Sequence, residues 1–330
     1  MGLSIYDSAN QHYIVTNNLV DMDINQLLVT ERRDKFSFPF GDAEIVQLAF
    51  SGICIAYGDV LAKESKLRVK SFDEPELVEL HFTLSGNGIL ENFITNRKIS
   101  VRANQHNIIY TPDFDGLAEI TTDQHFKFFE IHFERQRFVD LTGESSTLLK
   151  TFADNIMNNR SVQISSENLP ISLAMHSCIN DIMNCSFTGG LKLLFLQSKC
   201  IELLAMQAQA FETASKQPKK TSIKSDYDQD RIYYAREYLL QHADCPPSLT
   251  ELAKVAGINE FKLKQGFKEV FKNTVFGYLS DYKLLQAKTL LTEGTMPIKN
   301  IADELGYSSV QHFSTAFKKK FGISPAQSKR

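Results

Sequence analysis

Between residues 45 and 135 apolar and polar positions alternate in short runs: "IVQLAF", "ICIAYG", "LVELHFTL", "GILENFI", "NIIYTP" and "FKFFEIHF". A period of two puts successive side chains on opposite faces, so these runs predict β-strands with at least one face covered. Turn-forming residues separate several of them, notably Ser85-Gly86-Asn87-Gly88 and Thr95-Asn96-Arg97. The succession predicts an antiparallel barrel or sandwich rather than alternating strands and helices. The glycines at 86 and 88 predict a hairpin turn, not a phosphate-binding loop. Beyond Phe138 the period lengthens to that of helices in "LLKTFADNIM", "PISLAMHSCINDIM" and "GGLKLLFLQSKCIELLAMQAQAF". The last of these carries Leu193, Leu194, Leu196, Ile201, Leu203, Leu204 and Met206. Such an apolar surface needs a cover, either the barrel or the same helix of a second subunit.

The stretch "ETASKQPKKTSIKSDYDQD", residues 212–230, is polar and has almost no apolar period, which predicts a linker. From 231 to 330 the pattern is helical and repeats with a period near 49. "LTELAKVAGI" (249–258) aligns with "IKNIADELGY" (298–307), and Leu263, Phe267 and Phe271 correspond to Phe313, Phe317 and Phe321 with one residue inserted. Ala253 and Ala302 are small enough for a second helix to cross closely at a helix-turn-helix angle. Gly257 and Gly306 stand where the first helix must stop, and Asn259 and Ser309 are candidate N-caps for the next one. Pro297 suits the first turn of a helix.

The pairs Leu263–Phe267 and Phe313–Phe317 turn one face of each second helix inward, so the remaining faces point out. Those faces carry Lys262, Lys264, Gln265 and Lys268 in the first copy, and Gln311, His312, Ser314, Thr315, Lys318 and Lys319 in the second. Amides and hydroxyls can read base edges in the major groove, whereas lysines neutralise phosphates. Charge points the same way. The chain of 330 residues has a formal net charge of −3, but residues 216–330 hold 19 basic against 12 acidic residues and residues 1–215 hold 17 against 27. A basic module on an acidic body fits a polyanion-binding segment attached to a regulatory or oligomerising domain. The five cysteines form no C-x-x-C pair, and there is neither a basic-then-apolar leader nor an apolar run of membrane-spanning length. A cytoplasmic protein without a disulfide framework is expected.

The carboxyl-terminal segment 231–330 resembles the DNA-binding domain of the AraC/XylS family. The family signature I-x-x-I-A-x-x-x-G-[FY]-x-S-x-x-x-F-x-x-x-F-K-K-x-F-G-x-[ST]-P stands here as "IKNIADELGYSSVQHFSTAFKKKFGISP". The resemblance implies that Phe261, Lys264, Gln265, Lys268, Gln311, His312, Ser314, Thr315 and Lys318 face double-stranded promoter DNA, with Lys319 beside them. The sequence departs from the pattern at Lys272-Asn273-Thr274, where the second copy has Gly322-Ile323-Ser324, at Lys283 in place of an arginine, and at Ser328-Lys329 near the end.

Members of that family often carry a cupin-like ligand-binding barrel followed by dimerising helices, and residues 40–215 are compatible with this arrangement, within an effector-binding and dimerisation domain at 1–211. The expected class is therefore α+β with two domains: an antiparallel barrel at about 40–135 with helices at about 138–211, a linker at 212–230, and an all-α tandem helix-turn-helix at 231–330. The resemblance implies a regulator of transcription, a homodimer, controlled by an unidentified small-molecule effector and with RNA polymerase as a further partner. In "LVELHFTL" the face with Val78, Leu80, Phe82 and Leu84 is the apolar one. Glu79, His81, Phe128, Glu130 and His132 are therefore the candidate effector-binding residues. The alternative is a metal-dependent cupin-type enzyme fused to a DNA-binding module. The barrel region contains His81, His106, His125 and His132 but no H-x-H pair with a following glutamate, so no metal, no cofactor and no catalytic residue are expected.

Overall fold

The computed structural model describes residues 2–7, 11–16, 28–72, 76–122, 124–216, 226–294 and 296–329. Its contacts divide the chain into two units, Met1–Ile171 with Cys178–Gln217, and Ser172–Ser177 with Pro218–Arg330. The class is α+β: antiparallel sheets and helices in the first unit, helices throughout the last hundred residues.

Among the described residues the first unit holds twelve main strands: β1 (Gly2–Tyr6), β2 (His12–Thr16), β3 (Thr30–Phe38), β4 (Gly41–Phe50), β5 (Ile53–Ala62), β6 (Lys66–Phe72), β7 (Leu77–Ser85), β8 (Asn87–Asn92), β9 (Arg97–Arg102), β10 (Gln105–Tyr110), β11 (Asp115–Ile120) and β12 (His125–Glu134). One sheet runs β2-β1-β6-β11-β8-β9 and the other β10-β7-β12-β5-β4-β3, all antiparallel, with short strands at Val162–Gln163 and Leu169–Pro170 on the outer edge of β10. The sheets thus begin well before residue 40, in strands whose alternation lies outside the runs read from the sequence. The loop between β4 and β5 has positive φ at both Ser51 and Gly52, as a tight hairpin requires. The turn at 95–97 closes the β8–β9 hairpin, with Asn96 at φ 53°. The turn at 85–88 does not close one. β7 belongs to one sheet and β8 to the other, so Gly86 (φ 85°) turns a corner between sheets. A Cβ there would approach Phe126 to 3.0 Å, which is why glycine stands at that corner.

The apolar face of the larger sheet is the expected one. Val78, Leu80, Phe82, Phe129, Ile131 and Phe133 are all fully buried. Helices α1 (Arg135–Thr142), α2 (Thr147–Met157) and α4 (Gly189–Lys216), with α3 (Leu173–Met183) between the last two, follow the strands. Phe133 meets Phe138 of α1 with ring centroids 6.2 Å apart, and Phe138 meets Phe152 of α2 at 5.8 Å. From α4, Phe211 stacks edge-on against His106 of β10 at 5.2 Å. Each such aromatic contributes about 1.5–3 kcal/mol by leaving water. One side of α4 is thereby covered, with Leu196, Cys200, Leu203, Leu204 and Phe211 buried. On the other side Leu191 and Leu194 are 65% exposed and Ile201 38%. Residues 212–216, expected in the linker, are the last turn of α4, and residues 226–230 open α5. The remainder of that expected linker, 217–225, lies outside the described residues.

The second unit contains α5 (Asp226–Gln241), α6 (Leu249–Ala256), α7 (Glu260–Phe271), α8 (Val275–Glu293), α9 (Ile298–Glu304), α10 (Val310–Phe321) and α11 (Pro325–Ser328). Its described residues form two apolar clusters. The first joins Ile232, Ala235 and Leu239 of α5 to Leu252, Ala253 and Ala256 of α6, Leu263 and Phe267 of α7, and Val275, Tyr278 and Leu279 at the start of α8. The second joins Leu284, Ala287 and Leu291, further along α8, to Ile301, Ala302, Leu305, Phe313 and Phe317. One helix therefore closes both cores. Buried Arg236 reinforces the first, its Nε donating to the Tyr278 hydroxyl at 2.7 Å.

Candidate nucleic-acid interface and buried polar cluster

Each repeat folds as its punctuation prescribes. Gly257 and Gly306 take left-handed φ of 68° and 71° after α6 and α9. The Asn259 side chain accepts from the Lys262 amide at 2.8 Å and the Ser309 hydroxyl from the His312 amide at 3.2 Å, capping α7 and α10 at their first turns. Ala253 and Ala302 are buried where the paired helices cross, and Leu263, Phe267, Phe313 and Phe317 are completely buried. The first copy departs at its end. α7 stops at Lys272 with φ 54°, whereas α10 stops at Gly322 with φ 78°. Lys283 occupies a tight place, its Nζ 3.3 Å from where a Cβ on Gly306 would lie. Burial lowers its ammonium below the usual lysine range, with Asp244 acting the other way. The last turn, Pro325–Ser328, is fixed by a capping box between Ser324 and Gln327.

With their inner faces fixed, α7 and α10 present the expected outer residues. Phe261 is 72% exposed, and Lys264, Lys268, Gln311, His312, Thr315, Lys318 and Lys319 are exposed, with Gln265 and Ser314 half-buried. Their polar atoms are not equally at liberty. In α7, Lys264 pairs with Glu260 at 3.1 Å, the Gln265 amide donates to Glu269 at 2.9 Å, and Lys262 pairs with Asp228 at 2.9 Å. In α10 the Thr315 hydroxyl donates to the Gln311 carbonyl at 2.9 Å, and His312 Nδ1 lies 2.9 Å from the Ser308 hydroxyl. Lys320 reaches Asp281 on α8 at 2.7 Å, while Lys318 and Lys319 enter no ion pair among the described residues. α10 contains no carboxylate at all. It is thus a cationic, amide- and hydroxyl-bearing surface, and α7 is a partly self-neutralised version of it.

The larger sheet brings the other candidates together. In the β7–β12 pair Glu130 lies opposite His81, His132 opposite Glu79 and Phe128 opposite Thr83, so all five residues named from the sequence share one face. Phe128 lies over Gly58 of β5, which it opposes, and a Cβ there would meet its ring at 3.1 Å. His81 Nδ1 is 2.8 Å from Glu79 Oε1 and 3.3 Å from Glu130 Oε1, and its Nε2 is 3.0 Å from the Thr83 hydroxyl. His132 Nε2 lies 3.3 Å from Glu130 Oε2. The His81 side chain is 9% exposed, Glu130 21% and Glu79 28%, so the cluster opens toward solvent through its carboxylates. Burial opposes charge on His81, but hydrogen bonds to Glu130 and Glu79 outweigh it and raise the imidazole to about 10. Burial likewise opposes ionisation of Glu130, yet His132 and His81 hold its carboxyl well below the usual range. Thr83 was not among the candidates, although the alternation of β7 places it on the same face. His106 and His125 stand apart. His106 faces α4, its Nδ1 accepting from Gln207 at 3.0 Å, and His125 pairs with Asp59 at 2.7 Å.

Comparison with known proteins agrees with this architecture. The profile of the family described as the regulatory protein PchR N-terminal domain matches residues 45–223, more than half of the chain, and that of a helix-turn-helix domain matches 252–330. The chain belongs to the AraC family of transcriptional regulators. Among curated relatives, the regulatory protein PchR of Pseudomonas aeruginosa is 37% identical over 38% of this regulator and 42% of its own length, so the match spans less than half of that relative. The regulatory protein SoxS of Salmonella typhimurium is 33% identical over 27% of the regulator and 84% of its own length. The solved structure of ToxT from Vibrio cholerae aligns over 84% of the regulator and 97% of that chain, at 11% identity and a TM-score of 0.31. That likeness is too loose to place individual residues.

Proposed function

We propose that this regulator binds specific promoter DNA through α7 and α10, and that a small-molecule effector held on the β7–β12 face changes how it does so. The observation that carries the DNA reading is the pair of helix-turn-helix cores closed by the single helix α8, each presenting a cationic and amide-bearing second helix outward. In this reading Gln311, His312 and Ser314 approach base edges. Lys268, Lys318 and Lys319 neutralise phosphates, and Phe261 makes apolar contact at the start of α7. Effector control requires differential affinity for two arrangements of the chain. Glu79, His81, Phe128, Glu130 and His132 are the residues assigned to that pocket. The protein acts as a homodimer through the exposed side of α4, where Leu191, Leu194, Ser198, Ile201 and Ala205 recur at heptad spacing. We assign it to the cytoplasm and give it no catalytic step; among the described residues no helix is long and apolar enough to cross a membrane. RNA polymerase is the expected partner on the promoter.

The test is binding of the full chain to the DNA upstream of its own gene, against scrambled DNA of equal length, across a salt titration. Selective binding supports the reading. Equal weak binding on genome-wide fragments, with and without cell extract, sinks it.

A further inference from the structure

We propose that Glu79, His81 and Glu130 form a site for one first-row divalent metal ion of the Mn2+ or Fe2+ type. The sequence predicts no metal because its histidines lack the spacing that puts two ligands on one strand, but the register of β7 against β12 supplies them from two neighbouring strands instead. Glu79 Oε1, His81 Nδ1 and Glu130 Oε1 converge, and one donor atom from each residue lies within 4.8 Å of the others. A metal about 2.1 Å from each donor sets neighbouring donors about 3.0 Å apart in an octahedron and about 3.4 Å apart in a tetrahedron. The observed spacings from His81, 2.8 and 3.3 Å, fall close to these values, each slightly short, before any relaxation.

The surroundings prepare the donors. The Thr83 hydroxyl, 1% exposed, lies 3.0 Å from His81 Nε2 and fixes the ring so that Nδ1 faces the two carboxylates, where a bound metal would replace the proton that Nδ1 shares with them. Orientation of the second ring nitrogen is what a ligating histidine needs. His132 takes the other oxygen of Glu130 at 3.3 Å and so acts as a positioning residue for that carboxylate. One imidazole and two carboxylates make a mixed N,O set of two negative charges, hard enough for Mn2+ and Fe2+ and poor for the softer thiolate-seeking ions. Because the site opens through Glu79 and Glu130, positions on the metal remain for water or for a small ligand with oxygen or nitrogen donors. The proposal rests on reading this face as the occupied site of the first unit and is independent of DNA recognition.

The experiment is calorimetric titration of the full, chelator-treated and dialysed chain with Mn2+, followed by electron paramagnetic resonance of the bound ion. One equivalent is expected to bind. E79Q and E130Q should weaken it about 100-fold or more, and Thr83→Val about 10–100-fold, the loss typical of a removed orienting partner. E44Q, which removes an exposed carboxylate elsewhere, should leave it unchanged. If E130Q fails to fold, E79Q, with the more exposed carboxylate, decides. Absence of stoichiometric binding, or binding undiminished in E79Q, overturns the site. Promoter binding is measured on the same preparations: if it fails while metal binding survives, the regulator reading falls and the metal site stands.

Discussion

The last turn of α10 carries three consecutive lysines whose surroundings differ, and that difference sets a quantitative expectation. Lys320 is held by Asp281 at 2.7 Å, with the two side chains 34% and 25% exposed, whereas Lys318 and Lys319 enter no ion pair among the described residues. A lysine that neutralises one phosphate adds about 0.9 to the slope of log affinity against log salt. Removing it by Lys318→Ala should therefore lower affinity about eightfold at 0.1 M salt and about fourfold at 0.2 M, on specific and random DNA alike. Lys320→Ala should leave the slope within about 0.2 of the parent. It loses an internal pair worth at most about 1 kcal/mol, and Asp281 keeps its hydrogen bond from the Asn273 amide at 3.1 Å. Fluorescence anisotropy with labelled duplexes at four or five salt concentrations gives both slopes. Equal slope changes in the two variants, or a Lys318→Ala effect confined to the specific site, would refute the assignment of roles along this turn.

Thr315 and Gln311 should also separate. The Thr315 hydroxyl is already bonded within α10, so Thr315→Val should change specific affinity less than about twofold, while Gln311→Ala should forfeit about 1–3 kcal/mol of discrimination between operator and mismatched sites. Lys272, left-handed where the second copy has glycine, should be improved by Lys272→Gly, raising stability by about 0.5–1 kcal/mol in urea unfolding with an unchanged m value. His106 is fully buried, and burial together with the charge of nearby His81 pushes its imidazole down to about 3. Between there and the unfolded value of about 6.5 the unfolded chain binds the extra proton. The stability of the first unit should therefore be fully present above that value and fall as pH drops, by on the order of 2 kcal/mol from pH 7 to 5. His106→Asn should remove this slope, and a slope equal to that of the parent would refute the assignment.

The helix-turn-helix pair was legible residue by residue because its determinants are local. Ala302, Gly306, Ser309, Phe313 and Phe317 lie within sixteen residues, and each acts on neighbours one or two turns away. What escaped the sequence is non-local. Whether Gly86 closes a hairpin or turns between sheets depends on which strands flank β7 and β8, and those partners, β9 to β12, come later in the chain. Strands β1 to β3 carry a weak apolar signal, and the charged run in "TERRDKF" pairs through backbone register rather than through a buried stripe. The alternation of β7 and β12 named Glu79, His81, Glu130 and His132 one by one, but only the register sets His81 against Glu130. The internal bonds of Gln265 and Thr315 were invisible for a different reason. Spacing shows that a side chain points outward, not that a neighbour one turn away already holds its polar atom.

Helix α8 gives its first turns to one core and its later turns to the other. An inserted residue between Leu279 and Leu284 would advance the second module by about 1.5 Å and swing it by about 100° around the rod. On the DNA reading proposed above, α10 would then be carried off the side of the duplex that α7 addresses. The distance and phase between the two readers are thus encoded in the length of a single covalent ruler, and that ruler cannot be lengthened one residue at a time. On the DNA reading proposed above, variants of this regulator can retune which bases are read by exchanging side chains on α7 and α10. The separation of those two helices is inherited unchanged.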